Sequence, residues 1–392
     1  MFKKVFGLFL FLFVLALSFN GCVDTAPTYD NLAAIRCEDG IQNFDETGVD
    51  CGGNSCNNVC PPYPNELNGE VLWRDVLTPN KVYTLSGPLL VRQGAVLEIH
   101  AGTIIKAVPG TNAHIAVQPG AKLWIWGTES NPVVFTSAAD EPQPGDWGGI
   151  IMMGKAPTGH TEKPRSLVGN YFYGGDYEFD SSGQIRYTKI EYAGAAYQED
   201  IYFNGLGLYG VGKNTTLSHI HISKGLGSGM AIFGGNATIY NVLSTQNQIN
   251  GIEIEGGWSG IGRNWFVSQP QQHGIWIDYS SEASQNGTPF TVEDVLIKNL
   301  LQGAAFAFSQ ARVNGLFKAV KLSGVSRGFY ASSLNVLEDL GLSGFEVQDL
   351  VIQNVSDNFN WGTGQPNPPT FVTETNFTTF SDAFPDWGLP IQ

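Results

Sequence analysis

The sequence predicts an all-β protein built as a parallel β-helix, a solenoid in which each coil stacks on the one before. Two interleaved strand series and the composition predict it. The first series is seven segments with apolar residues two apart after a polar lead-in: YTKIEYA from Tyr187, LSHIHIS from Leu217, IYNVLST from Ile239, GRNWFVS from Gly262, VEDVLIK from Val292, FKAVKLS from Phe317 and VQDLVIQ from Val347. Their central residues, Ile190, Ile220, Val242, Trp265, Val295, Val320 and Leu350, recur at intervals of 22 to 30 residues. The second series lies between them and opens each time on glycine, at Gly205, Gly229, Gly251, Gly274, Gly303 and Gly328. A period shared by two strand series makes each period one coil. The 48 glycines, the 21 Lys and Arg among 392 residues, and short alternating runs of Thr, Ile, Val and Phe favour strands joined by tight turns.

Residues 1–21 read as a secretory leader: Lys3 and Lys4, an apolar run from Val5 to Ser18, then small or polar residues before Cys22. The run is too short for a membrane span. Cys22 stands apart from Cys37, Cys51, Cys56 and Cys60. An odd total in an exported protein gives one cysteine a separate task and leaves an even set for two disulfides, whose pairing spacing does not choose. Residues 22–36 carry no periodicity and read as a tether. Residues 37–63 are too few to bury a core, so disulfides must staple this small module. Within it Asp39, Asn43, Asp45, Glu46 and Asp50 offer hard oxygen ligands for a Ca²⁺ without the spacing of an EF-hand, and the competing reading makes them turn formers.

Residues 64–355 are assigned to the solenoid. GAVLEIHAGTIIKA from Gly94 and the segment opening GAKLWIWGT at Gly120 each give alternation, a glycine turn and another strand, with Leu97 and Leu123 26 residues apart. Residues 155–184 break the ladder and read as a loop projecting from one coil. Residues 356–392 lose the period. Phe377, Phe380, Phe384 and Trp387 recur there at near-helical spacing, as an apolar cap on the last coil would require.

Alternation also predicts which side chains face out. With Ile254 and Ile277 inward, Glu253 and Glu255 point outward, with Trp276 stacked on Glu253 and Asp278 on Glu255 about 4.8 Å away. Two carboxylates beside an indole can bind a cation, share a proton or hold a sugar, and the competing reading is solvated surface acids. Trp124 and Trp126 share an outer face and form a second candidate platform, unless the 155–184 loop covers them. His219 and His221 are two apart, a metal half-site without a third ligand, or plain surface histidines. The chain lacks a nucleophile elbow and a phosphate loop, and no catalytic residue is assigned. The net charge of −15 becomes −17 once Lys3 and Lys4 leave with the leader, a surface that repels phosphate backbones and argues against nucleic acid as a partner.

Several stretches resemble known families. Asn20-Gly21-Cys22 resembles the lipobox of bacterial lipoproteins, with Phe19 where Leu is usual, which implies a lipid on Cys22. Asp24-Thr25-Ala26 resembles the O-glycosylation acceptor of Bacteroidota exported proteins, with Thr25 as the acceptor. The run from Cys37 to Cys60 resembles the cysteine-rich module of Bacteroidota surface proteins. PGAKLWIWGT, NPVVFTSA and GDWGG resemble surface lipoproteins with a right-handed β-helix, over roughly Val71 to Val355. The resemblance implies fold and place more than activity: an outer-membrane protein, lipid-anchored and exposed at the cell surface. Right-handed β-helices also include polysaccharide lyases that use a Lys or Arg base with acidic Ca²⁺ ligands, and Arg263 is the base nearest the acidic pair in sequence.

The first functional reading is therefore a structural or interaction subunit of a cell-envelope assembly, docked on an outer-membrane protein, with no cofactor required beyond a Ca²⁺ in the module. The alternative is a glycan-binding lipoprotein. The second alternative is a polysaccharide lyase or hydrolase, and the balance is against an enzyme because fold alone does not confer activity.

Overall fold

The computed structural model describes residues 65–160, 162–278, 289–309, 313–331, 336, 344–360 and 372–374. Cys22, Thr25, the four clustered cysteines, the candidate Ca²⁺ ligands from Asp39 to Asp50 and the aromatic residues from Phe377 to Trp387 lie outside them. Within the described residues the chain is all-β. Twenty-four strands form one hydrogen-bonded system. Their pairings are parallel, while Ala196–Gln198 and Ile201–Tyr202 form a small antiparallel pair apart.

Three parallel ladders run the length of the solenoid. In the first, Leu97, Leu123 and Gly183 are in register on successive coils, and Ile185, two residues on in the same strand as Gly183, continues through Leu217, Ile239, Gly262, Val292, Phe317 and Val347. In the second, Phe135, Ile190, Ile222, Ser244, Val267, Ile297, Leu322 and Ile352 are in register. The third runs through Ile150, Leu206, Met230, Ile252, Ile275, Phe306 and Phe329. The seven-member series of the sequence supplies two of these ladders, because each of its strands bends in the middle. At the bend the chain passes through left-handed backbone: Tyr187 at φ 47°, His219 at 58°, Asn241 at 53°, Asn264 at 58°, Asp294 at 59°, Ala319 at 54° and Asp349 at 56°. Asn, Asp and His tolerate this region better than most residues. The corner also supports itself. Tyr187 stacks on His219 at 4.2 Å, Asn241 Nδ2 donates to His219 Nε2 at 3.1 Å, and Asn264 Nδ2 donates to Asn241 Oδ1 at 2.7 Å.

The bend corrects one alignment. Thr188, not Ile190, stands in register with Ile220, Val242, Trp265, Val295, Val320 and Leu350. Ile190 belongs two residues on, with Ile222, because both positions point inward and the alternation alone does not separate them. The inward residues of all three ladders join in one continuous core. Val242, Val295 and Val320 are fully buried in it, and Trp265 lies inward, stacked on Trp258 at 5.7 Å with its Nε1–H donated to the Ile239 carbonyl.

The leading glycines of the third ladder have a packing cause. A Cβ on Gly229 would lie 2.2 Å from Ser244 Oγ, and one on Gly251 would lie 2.2 Å from Val267 Cγ1. The last inward side chain of the second sheet occupies that space, so the following strand must open on a residue without bulk. Gly303 does not hold this position. Ala305 does, beside Gly274, while Gly303 sits in a turn at φ 72°.

The segment inserted after Met153 does not project. It lies along the third sheet: the Gly159 N–H bonds the Gly256 carbonyl at 2.7 Å, and the Pro157 carbonyl accepts from the Gly235 N–H at 2.8 Å. Its Val168 and Tyr173 are buried against Ile151, Met153 and Tyr209. Apolar side chains on a face that would otherwise be wet draw the segment down.

Candidate functional site

The outer face of the third sheet differs from the other two because excursions from both of its edges fold onto it. One is the segment after Met153, and the other runs between Tyr192 and Asn204, bringing Ala195, Tyr197, Ile201 and Phe203 onto the same cluster. Two outward rows run beneath. The first is Ile151, Gly207, Ala231, Glu253, Trp276, Ala307 and Tyr330, and the second is Met153, Tyr209, Phe233, Glu255 and Asp278. Their early members are small or apolar. Tyr173 packs edge-on against Tyr209, which stacks on Phe233 at 4.3 Å. One coil beyond Phe233 both rows become acidic.

Glu253 and Trp276 are cross-strand neighbours, as are Glu255 and Asp278, and all four side chains are half-buried. Glu253 is held: its Oε1 accepts from Ser228 Oγ at 2.5 Å and from Asn250 Nδ2 at 2.8 Å. Burial raises its pKa, these two hydrogen bonds offset part of the rise, and the nearby Asp278 adds to it. Glu255 is pushed well above the ordinary carboxylate range, first by burial and then by the charges of Glu253 and Asp278. Burial also raises the Tyr173 and Tyr209 hydroxyls, with Glu255 contributing to both. Oδ1 of Asp278 is buried with no hydrogen-bond partner among the described residues. These acids are therefore desolvated and mutually repelling, unlike solvated surface carboxylates.

An aromatic ledge adjoins them. His273 stacks on Trp276 at 5.3 Å and on Tyr330 at 6.0 Å, and Arg327 lies over the Tyr330 ring at 5.3 Å. Ala307, between Trp276 and Tyr330 in the row, carries only a methyl. His273 Nδ1 accepts the Ala304 N–H at 3.0 Å. Burial, with Arg327 nearby, brings the His273 pKa down to about 4, so the ring is neutral near pH 7 and can donate only from Nε2.

Alternation could not reveal His273, Tyr330, Ser228 or Asn250 as parts of this site, because the rings meet across coils. One signal was present: Ser228, Asn250 and His273 each directly precede a leading glycine. In the structure the Asn250 N–H bonds Ser228 Oγ and the His273 N–H bonds Asn250 Oδ1, so this pre-glycine position forms a polar row along the edge of the site.

The other sequence candidates lie elsewhere. Trp124 and Trp126 are half-buried neighbours on the outer face of the first sheet, 6.2 Å apart, with Glu98 and Gln184 flanking Trp124. Arg263 is also on the first sheet, bonded to Asp294 at 3.1 Å, and so is not a base beside the acidic pair. His219 and His221 do not converge: the first occupies the corner stack, and the second, in the outer row of the second sheet, bonds Thr245 Oγ1 at 3.1 Å. Burial, aided by Lys189 and Lys224, lowers the half-buried His221 pKa to about 4. Among the described residues no group of three His, Cys, Asp or Glu is arranged to hold a metal ion.

A family model described as a pectate-lyase-like β-helix domain matches residues 69–389. Among curated proteins none matches the chain. Of solved structures, the catalytic domain of a GH87 α-1,3-glucanase in complex with nigerose is similar at 10% identity and a TM-score of 0.38, covering 90% of this chain and 67% of its own. The enzymatically active domain of tailspike protein 2 from bacteriophage CBA120 is similar at 8% identity and a TM-score of 0.22, covering 69% of this chain and 39% of its own.

Proposed function

The chain belongs to the pectate-lyase-like β-helix family, and from that premise we propose that it is a lipid-anchored outer-membrane protein, displayed at the cell surface, that binds carbohydrate on the outer face of its third sheet. In this reading Cys22 carries the lipid, residues 22–36 with Thr25 form a glycosylated tether, and Cys37, Cys51, Cys56 and Cys60 staple the module that follows. The carbohydrate reading is carried by one observation: the desolvated acids Glu253, Glu255 and Asp278 meet the Trp276, His273 and Tyr330 ledge on the face bordered by both excursions. A sugar ring presents an apolar C–H face and a rim of hydroxyls, which an aromatic ledge beside carboxylate acceptors matches. Arg263, the base nearest the acids in sequence, is bonded to Asp294 on another sheet and so is not the base of a lyase centred on them.

A glycan array probed with the protein lacking its leader tests this. Capture of a defined set of glycans, lost in Trp276→Ala, is the expected result. No capture of any glycan, or capture unchanged in Trp276→Ala, overturns it.

The reading as an interaction subunit is favoured by a different surface. Leu72 and Trp73 are 56% and 83% exposed on the first coil, the part of the solenoid nearest the anchor in sequence. An integral outer-membrane protein is the partner this surface would meet. Affinity purification of the native lipoprotein should retain such a partner and lose it in Trp73→Ala.

A further inference from the structure

We infer that the sugar taken by this face carries a free ammonium group, and that Glu255 and Asp278 hold it. The inference rests on the carbohydrate reading above and narrows it to amino sugars. It starts from the hydrogen bonds of the three acids. Glu253 is satisfied from within the fold by Ser228 and Asn250. Asp278 has a buried Oδ1 without a donor among the described residues, and the half-buried Glu255 stands beside it in register. Buried acceptors are rarely left open, and one facing a second carboxylate marks a place where donors arrive from outside.

The kind of donor follows from charge. The two strands that carry the acids, Ile252–Glu255 and Ile275–Asp278, contain no lysine or arginine, so the fold places no compensating cation in either strand. A neutral hydroxyl supplies one hydrogen and no charge, whereas an alkylammonium supplies three hydrogens and a positive charge in one group. A metal ion fits less well. Ca²⁺ needs six to eight oxygen ligands, one oxygen of Glu253 is already engaged, and no three ligating side chains among the described residues are arranged for a metal. Trp276, beside Glu253, offers an indole face that attracts an organic cation as well as a sugar ring. A uronic acid would bring a further carboxylate beside Glu255 and Asp278 and is disfavoured.

Titration calorimetry of the full mature chain with a glucosamine tetramer, its N-acetylated counterpart and a galacturonate tetramer tests the assignment. The amine should bind at least tenfold more tightly than the acetylated tetramer, and the galacturonate should not bind. Asp278→Asn and Glu255→Gln are near-isosteric, and each should weaken the amine at least tenfold while leaving the far-ultraviolet circular dichroism unchanged. Equal binding of amine and acetylated tetramers, or amine binding unaffected in both variants, overturns the ammonium site and leaves the carbohydrate reading standing. Absence of binding by all three, together with a blank array, removes both.

Discussion

Glu255 and Asp278 stand side by side in register on adjacent parallel strands, and Asp278 Oδ1 is buried there without a hydrogen-bond partner among the described residues. Two carboxylates so placed trade stability for a ready-made site. Glu255 has a raised folded pKa, so its contribution favours folding below the ordinary carboxylate range and is lost as pH rises through the folded value. Asp278→Asn removes one of the charges that raises it. The unliganded variant should be more stable than the parent by about 1 kcal/mol at pH 8 and nearly equal at pH 4, in thermal melts at both values. Equal stability at pH 8 would mean that the two acids do not repel.

Two half-buried histidines give the opposite pH dependence. His221 and His273 have folded pKa values near 4 against an ordinary value of 6.5. Unfolding lets them take up protons, so their contribution is complete above pH 6.5 and falls as pH drops toward 4. At pH 5 the loss is about 2 kcal/mol for each. Since the acids change in the other direction, the clean measurement is a difference. Urea unfolding of His221→Gln at pH 7 and pH 5 should show a smaller loss on acidification than the parent. Parallel losses would show that His221 does not titrate on unfolding.

The leading glycines offer a test of the packing. Gly229→Ala puts a methyl into the space of Ser244 Oγ and the Gly251 carbonyl, at 2.2 and 2.6 Å. Because the second contact is backbone, rotating Ser244 away relieves only part of the clash. A loss of about 1–3 kcal/mol is expected in chemical unfolding, partly restored by Ser244→Gly. An unchanged midpoint would place this corner differently.

Alternation and period carried the sequence reading as far as they physically can. They put Leu97 beside Leu123 and Glu253 beside Trp276, because parallel strands of one solenoid keep register from coil to coil. They could not show that each long strand serves two sheets, since one left-handed residue such as Asn241 or Asp349 turns the chain without disturbing the apolar pattern on either side. For the same reason alternation sets Ile190 two residues out of register, and the glycine pattern offers Gly303, a turn glycine, where Ala305 stands. The candidate site was half legible. The acids and Trp276 lie on two strands with visible alternation, whereas His273 and Tyr330 join them through ring contacts between coils. The segment after Met153 reaches Gly256, the residue after Glu255, and periodicity does not encode where such a segment comes to rest.

The remaining prediction separates the two tryptophan surfaces. Trp276 lies on the third sheet with the acids, and Trp124 and Trp126 lie on the first. If carbohydrate binds beside the acids, Trp276→Ala removes apolar contact and should cost about 1–3 kcal/mol of binding, a loss of roughly fivefold to 150-fold in affinity. The inward residues Ile254 and Ile277 are untouched by the change, so the thermal midpoint should move little. Trp124→Ala should leave affinity within about twofold, because its neighbours Glu98 and Gln184 belong to another sheet. The decisive measurement is affinity for one array-selected glycan across the three proteins. A loss confined to Trp124→Ala would move the binding face to the first sheet and leave the acids of the third without a carbohydrate role.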